Sequence, residues 1–138
     1  MYFEWKDDYS VNVKEIDNQH KKMFEIGEKI SDLVLAKDGF DHYDEIMDIL
    51  QELKDYTIYH FDFEEKLMEQ YGYAEADPHK IQHIFLIKKL ERIQKKDIDI
   101  DQKEAVVDLI AFVSDWITGH ILKTDKRYKG FFNEKGLN

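Results

Sequence analysis

Apolar positions recur along this chain at three- and four-residue intervals in four separate runs, and each run reads as one face of an amphipathic helix. The first covers about residues 16–36, with Met23, Phe24, Ile30, Leu33 and Val34 as its stripe and Ile26 at its edge. Gly27 shares that face, where it costs a helix about 1 kcal/mol relative to alanine and leaves room for a neighbouring helix to approach. Gly39 closes the run as a left-handed cap. The second run, about 41–71, carries Ile46, Ile49, Leu50, Leu53, Thr57, His60, Glu64, Leu67 and Met68 on one inward face and ends at Tyr71-Gly72-Tyr73. The third, about 77–96, starts with Asp77 as N-cap and Pro78 at the first helical position. His79, His83, Leu86, Leu90 and Ile93 share its inner face, and it frays near Lys95 and Lys96 into a short connection, Asp97 to Ile100. The fourth, about 101–128, opens on a capping box of Asp101 and Glu104 and presents Val106, Leu109, Ile110, Val113, Trp116, Ile117 and His120. Residues 1–15 carry no helical stripe and read as an extended arm anchored by Tyr2, Phe3 and Trp5. The tail from Lys129 reads as a loose or short-helical end.

Four such helices joined by short connections predict an all-α fold, an antiparallel up-down-up-down four-helix bundle filling residues 1–138 as one domain. Composition narrows the function more than the fold. The 138 residues include 30 acidic and 20 basic side chains, a formal charge of −10 that repels phosphate backbones, so no nucleic acid is expected as a partner. With no cysteine there is no disulfide, zinc ribbon, cysteine-ligated cluster or thiol nucleophile, and any metal must be held by nitrogen and oxygen. No apolar run reaches bilayer length and the N-terminus lacks a signal-peptide core. The expectation is a cytoplasmic protein with no membrane partner, monomeric by preference.

The polar exceptions on the inward stripes are the informative residues. Residues four apart on a helix stand one turn above each other, so His60 with Glu64, and His79 with His83, each present two ligand-type side chains from one face. Five of the six histidines lie on inward stripes: His20, His60, His79, His83 and His120. One buried histidine is ordinarily a core residue hydrogen-bonded to a neighbour. Five of them with a carboxylate would cost about 1–3 kcal/mol for each unpaired group, and a cation removes that cost. In an antiparallel bundle His20, His60, His79 and His120 also fall at the same end. So many ligands exceed one tetrahedral zinc site and suit two octahedral-leaning ions bridged by carboxylate, with iron or manganese favoured by the imidazole and carboxylate donors. Asp125 is less certain on spacing alone, because five residues beyond His120 is about 140° around a regular helix. Glu65 points away from the stripe and reads as solvated, His42 reads as a surface residue, and the basic run Lys123, Lys126, Arg127 and Lys129 as a solvated face.

The set His20 in Asp17-Asn18-Gln19-His20, His60-x-x-x-Glu64, His79-x-x-x-His83 and His120-x-x-x-x-Asp125 resembles the hemerythrin family, and especially its single-domain bacterial members. The resemblance extends over nearly the whole chain, including Trp5 and the Tyr71-Gly72-Tyr73 turn. It implies a cofactor of two non-haem iron ions with an oxo or hydroxo bridge. His79, His83 and His120 would complete one ion, His20 and His60 would leave a position open on the other, and Glu64 and Asp125 would bridge. It implies reversible dioxygen binding at the open position, for carriage, storage or buffering, rather than enzymatic turnover. Phe61, Trp116, Ile117 and Ile121 would line the oxygen pocket. The alternatives are a di-iron redox enzyme scavenging peroxide or nitric oxide, and an oxygen or iron sensor. The absence of a fused output segment counts against the sensor, and seven fixed ligands count against bulk iron storage.

Overall fold

Side-chain pairs between neighbouring helices fix the path of the chain. The computed structural model describes residues 2–36, 42–95 and 102–138. Its long helices are α1 (Lys14–Leu35), α2 (Tyr43–Tyr71), α3 (Ala76–Lys95) and α4 (Gln102–Lys123), followed by a 3-10 turn over Asp125–Tyr128 and a short α5 (Lys129–Glu134). Between α1 and α2, His20 meets Glu64 and Lys29 meets Glu52, so numbers rise on one helix as they fall on the other. Glu65 with His83 and Lys54 with Gln94 repeat that relation between α2 and α3. Gln82 with His120 and Lys89 with Phe112 repeat it between α3 and α4. With α1 also packed on α4, the four helices close an antiparallel bundle. No strand occurs among the described residues, and no helix there is long and apolar enough to cross a membrane.

The predicted stripes supply the core. Met23, Phe24, Ile30 and Val34 of α1 pack with Ile46, Leu50 and Leu53 of α2, Leu86 and Leu90 of α3, and Val106, Ile110, Val113 and Ile117 of α4. Ile26, expected at the edge of its stripe, is fully inside. Thr57, the polar member of the α2 stripe, is satisfied by donating its hydroxyl to Leu53 O at 2.6 Å. α2 ends in a left-handed Gly72 (φ 72°), and the Tyr73 N–H reaches back to Met68 O at 2.9 Å, the closing bond of a Schellman turn. That turn sets where α3 begins. The helix starts at Ala76, so Asp77 and Pro78 fall in its first turn rather than at the cap position and N1. The expected Gly39 cap, the α2 start at Asp41, the Lys96 fraying, the Asp97–Ile100 connection and the Asp101 cap lie outside the described residues.

The arm departs from the expected form in two ways. It contains a 3-10 turn at Asp7–Tyr9, and α1 begins at Lys14 instead of residue 16. Phe3 is buried and Trp5 half-buried, as anchors should be, but the Tyr2 side chain is exposed and Tyr9 takes its place against Trp5 and Phe24. Gly27 does not admit a helix. A Cβ there would lie 2.7 Å from the Phe3 ring, so the glycine is the seat of the arm's first aromatic anchor. Asp17 ties down the other end of the arm, accepting from the Ser10 hydroxyl at 2.6 Å and the Val11 N–H at 2.9 Å. The tail is docked: Tyr128 and Phe132 are fully buried in a second apolar cluster with Val11, Val13, Ile16 and Met68. Paired contacts between Asn12 and Asn133 join arm to tail.

Candidate metal centre

At one end of the bundle the apolar filling gives way to polar side chains, all of them buried. His20 stands in the second turn of α1, His60 and Glu64 one turn apart on α2, His79 and His83 one turn apart on α3, and His120 in the last turn of α4. Asp125 joins them because α4 stops. The last residue of α4 is Lys123; Thr124 keeps its hydrogen bond to His120 O but with φ drawn out to −113°, and the following 3-10 turn brings the Asp125 carboxylate to full burial. The 140° offset that made Asp125 doubtful belongs to a regular helix, and the chain is not one at that point. The structure therefore brings together all seven residues singled out in the sequence. His42 lies at the far end of α2 with its ring nitrogen 3.1 Å from Glu45, about 27 Å of helix away from His60.

The donors form two overlapping sets. Glu64, His79, His83, His120 and Asp125 can each offer one ligand atom within 4.8 Å of every other, and so can His20, His60, Glu64 and Asp125. The two carboxylates belong to both. Separations inside the sets are those of donors around a cation. His83 Nε2 and His120 Nε2 are 3.1 Å apart, His120 Nε2 and His79 Nε2 3.2 Å, and His79 Nε2 and Asp125 Oδ1 2.8 Å. Metal bonds of about 2.1 Å at right angles place neighbouring donors about 3.0 Å apart. The site also has an excess of acceptors. His60 Nε2, Glu64 Oε2 and both Asp125 oxygens are buried with no hydrogen bond of good geometry, and what they meet is one another: His60 Nε2 meets Glu64 Oε1, Glu64 Oε2 and Asp125 Oδ1 lie 3.3 and 2.8 Å from His79 Nε2, and Asp125 Oδ2 lies 3.2 Å from His20 Nε2. Buried donors that converge only on one another, without good hydrogen-bond geometry, fit a pair of cations and fit an ordinary core poorly.

Charge follows the same geometry. Burial alone would push the Glu64 carboxyl up, but His60, His20 and His79 together outweigh it and hold the group well below the ordinary range. Asp125 is likewise pushed up by burial and by the charge of Glu64, yet His120 and His20 carry it well below. The ring of His20 is pushed down by burial and raised by Asp125 and Glu64 to about 9, and that of His79 is raised to about 9 in the same way. Burial dominates at His60 and His83, which are both lowered.

Three residues beyond the seven hold the outer faces of the rings. Gln19 Oε1 accepts from His60 Nδ1 at 2.7 Å, Gln82 Oε1 from His120 Nδ1 at 2.9 Å, and Glu65 Oε2 from His83 Nδ1 at 2.9 Å. Glu65 was expected to be solvated. Its side chain is 29% exposed, and its carboxylate is held against α3 by the His83 ring while still bordering solvent. Stripe periodicity could not find these residues because each sits on the flank of its helix. The one signal was position: Gln19, Gln82 and Glu65 each adjoin a ligand-type residue in the chain. Of the expected pocket residues, Phe61, Ile117 and Ile121 are buried. Phe61 stacks on His83 with ring centres 3.7 Å apart and also lies 5.9 Å from His60. Trp116 is half-buried and stacks on His120, which puts it on the three-histidine half. Tyr128 stacks on His79, and burial with the nearby charges of Asp125 and Glu64 keeps its phenol protonated.

A four-helix bundle with two overlapping sets of buried nitrogen and oxygen donors defines a class of protein built to hold cations. Comparisons with known proteins sharpen that class. Residues 11–132 match the hemerythrin HHE cation binding domain. The chain is 41% identical to a bacteriohemerythrin of Clostridium acetobutylicum over 91% of its own length and 98% of that protein's. It is 36% identical to a bacteriohemerythrin of Pseudomonas aeruginosa over 90% of its length and 77% of that protein's. A crystal structure of wild-type hemerythrin superposes with a TM-score of 0.79 at 32% identity, covering 92% of this chain and 95% of that one. The chain belongs to the hemerythrin family.

Proposed function

We propose that this protein binds dioxygen reversibly at a pair of non-haem iron ions joined by an oxo or hydroxo bridge, in carriage, storage or buffering and not in enzymatic turnover. The observation that carries the reading is the inequality of the two donor sets: both contain Glu64 and Asp125, but one has three histidines and the other only His20 and His60. When bound, the iron pair supplies an open coordination position and two exchangeable electrons for dioxygen. The protein's part is positional. Glu64 and Asp125, both ionised and common to the two sets, would serve both ions; His79, His83 and His120 would hold one, and His20 and His60 the other. Gln19 fixes the His60 ring by its outer nitrogen, leaving Nε2 unprotonated toward the ion. Phe61, Ile117 and Ile121, each under 5% exposed, keep water away and so slow the loss of the reduced state.

The test is a cycle of oxygenation. Iron-loaded, reduced protein exposed to dioxygen should develop the visible absorption of an oxygenated form and lose it when the gas is removed, over repeated cycles. Irons left oxidised after a single exposure would overturn reversible binding. Steady consumption of peroxide or nitric oxide with a reductant, well above that of free iron, would move the reading to a scavenging enzyme.

A further inference from the structure

Glu64 and Glu65 are neighbours on α2, yet they face different partners. Glu64 is fully buried between the two donor sets, whereas Glu65 turns sideways to α3 and accepts the Nδ1–H of His83 at 2.9 Å. Phe61, one helical turn before Glu65 and on the same flank, stacks face to face on the same ring at 3.7 Å and 2°. The His83 imidazole is therefore clamped by α2 on its face and at its outer edge while Nε2 points into the site. The corresponding partners of His60 and His120 are the neutral amides Gln19 and Gln82, and His20 Nδ1 has no partner. Among the described residues, His83 is the one ligand-type ring of the five with a carboxylate hydrogen-bonded to its outer nitrogen.

A carboxylate on the outer N–H of an imidazole fixes the tautomer and draws that proton away. Both effects make the inner nitrogen a stronger donor. A stronger donor binds a cation more tightly and favours its higher charge state. We propose that Glu65 is a positioning residue that acts through His83 to tighten cation binding in the three-histidine half and to lower the reduction potential of the centre. This rests on the di-iron reading above. Glu65 also borders a solvent-facing groove between α2 and α3, lined by Ile58, Phe61, Asp62, His83 and Ile84 among others, so water screens part of its charge. The effect is a tuning of the centre and not a condition for its existence.

Glu65→Gln isolates the charge, because an amide oxygen can still accept the Nδ1–H. In the full chain loaded with Fe(II), and separately with redox-inert Co(II), E65Q should lose about 10–100-fold in affinity for one of the two cations by chelator competition. The midpoint potential of the iron form should rise and its autoxidation should slow. Gln82→Glu, which gives His120 a carboxylate in place of its amide, should restore the lowered potential in the E65Q background. Unchanged affinity and potential in E65Q would overturn the proposal, even if Glu65→Ala were weaker, since only the hydrogen bond would then matter. Should E65Q also lose helix content, the Q82E rescue decides: recovery supports the proposal and its failure overturns it. Wild-type protein that takes up fewer than two irons would instead sink the di-iron reading, and the Co(II) arm would still read the link between Glu65 and His83.

Discussion

His20 and His79 hold protons at neutral pH in the metal-free protein, while Glu64 and Asp125 do not, so two positive rings face two negative carboxylates. A cation cannot occupy the site until those rings give up their protons. Loading the metal-free protein at pH 7 should therefore release protons, about two per protein if both rings are fully charged, detectable with an indicator dye in weak buffer. Affinity should climb from pH 6 toward 9 and level off above it. The fold responds in the opposite sense. Rings raised above their ordinary 6.5 stabilise the metal-free fold fully below that value and lose the effect as pH passes about 9. No proton release at pH 7 would mean that the rings enter the site neutral. Six of the seven residues that set this balance were legible in the sequence, because a histidine or carboxylate on an apolar stripe stands out; Asp125, off the stripe of a regular helix, came only from the resemblance to a family. Gln19, Gln82 and Glu65 were not legible, since a polar residue on a helix flank looks the same whether it meets water or a ring nitrogen.

At the scale of elements, the helices followed from periodicity and the irregular segments did not. The stripes located four helices, but period alone could not show that α4 ends at Lys123, and this is what delivers Asp125. Nor could it show what Gly27 receives. A small residue on an inward face signals close approach without naming the visitor, and here the visitor is Phe3 from the arm. That assignment has a consequence for stability. In an exposed helix Gly→Ala gains about 1 kcal/mol, whereas here the new methyl would lie 2.7 to 2.8 Å from three ring atoms of Phe3. Gly27→Ala should thus displace the ring and cost about 1–3 kcal/mol, the usual range for overpacking. In a Phe3→Ala background the clash is gone, and the same substitution should become neutral or stabilising. Denaturation of the four proteins in this cycle checks it, and an unchanged effect of Gly27→Ala in both backgrounds would show that arm and glycine are uncoupled.

For the whole molecule, the bundle divides into a half filled with hydrocarbon and a half filled with ligand-type side chains. Ile30, Val34, Ile46, Leu50, Leu53, Leu90, Leu109 and Ile110 fill the interior with hydrocarbon, whose burial stabilises the fold in any metal state. The other half gathers five imidazoles and two carboxylates from all four helices and the turn after α4, with several of their atoms lacking a hydrogen bond of good geometry. Cations in the two sets would together tie all four long helices to one another and give those atoms full partners. A cation binds the folded chain alone, so at a free concentration 100 times its dissociation constant it adds about 2.7 kcal/mol. Chelation should lower the melting temperature accordingly, and the loss should be uneven. Backbone amides near His20, around His79, through the Asp125–Tyr128 turn and in α5 should exchange with solvent faster once the metal is gone. Amides beside Leu50, Leu53, Leu90 and Ile110 should stay protected to nearly the global limit. Hydrogen exchange on loaded and chelated protein reads both halves in one experiment. Equal acceleration throughout would show that the apolar half depends on the metal as well, and that the bundle stands or falls as one unit.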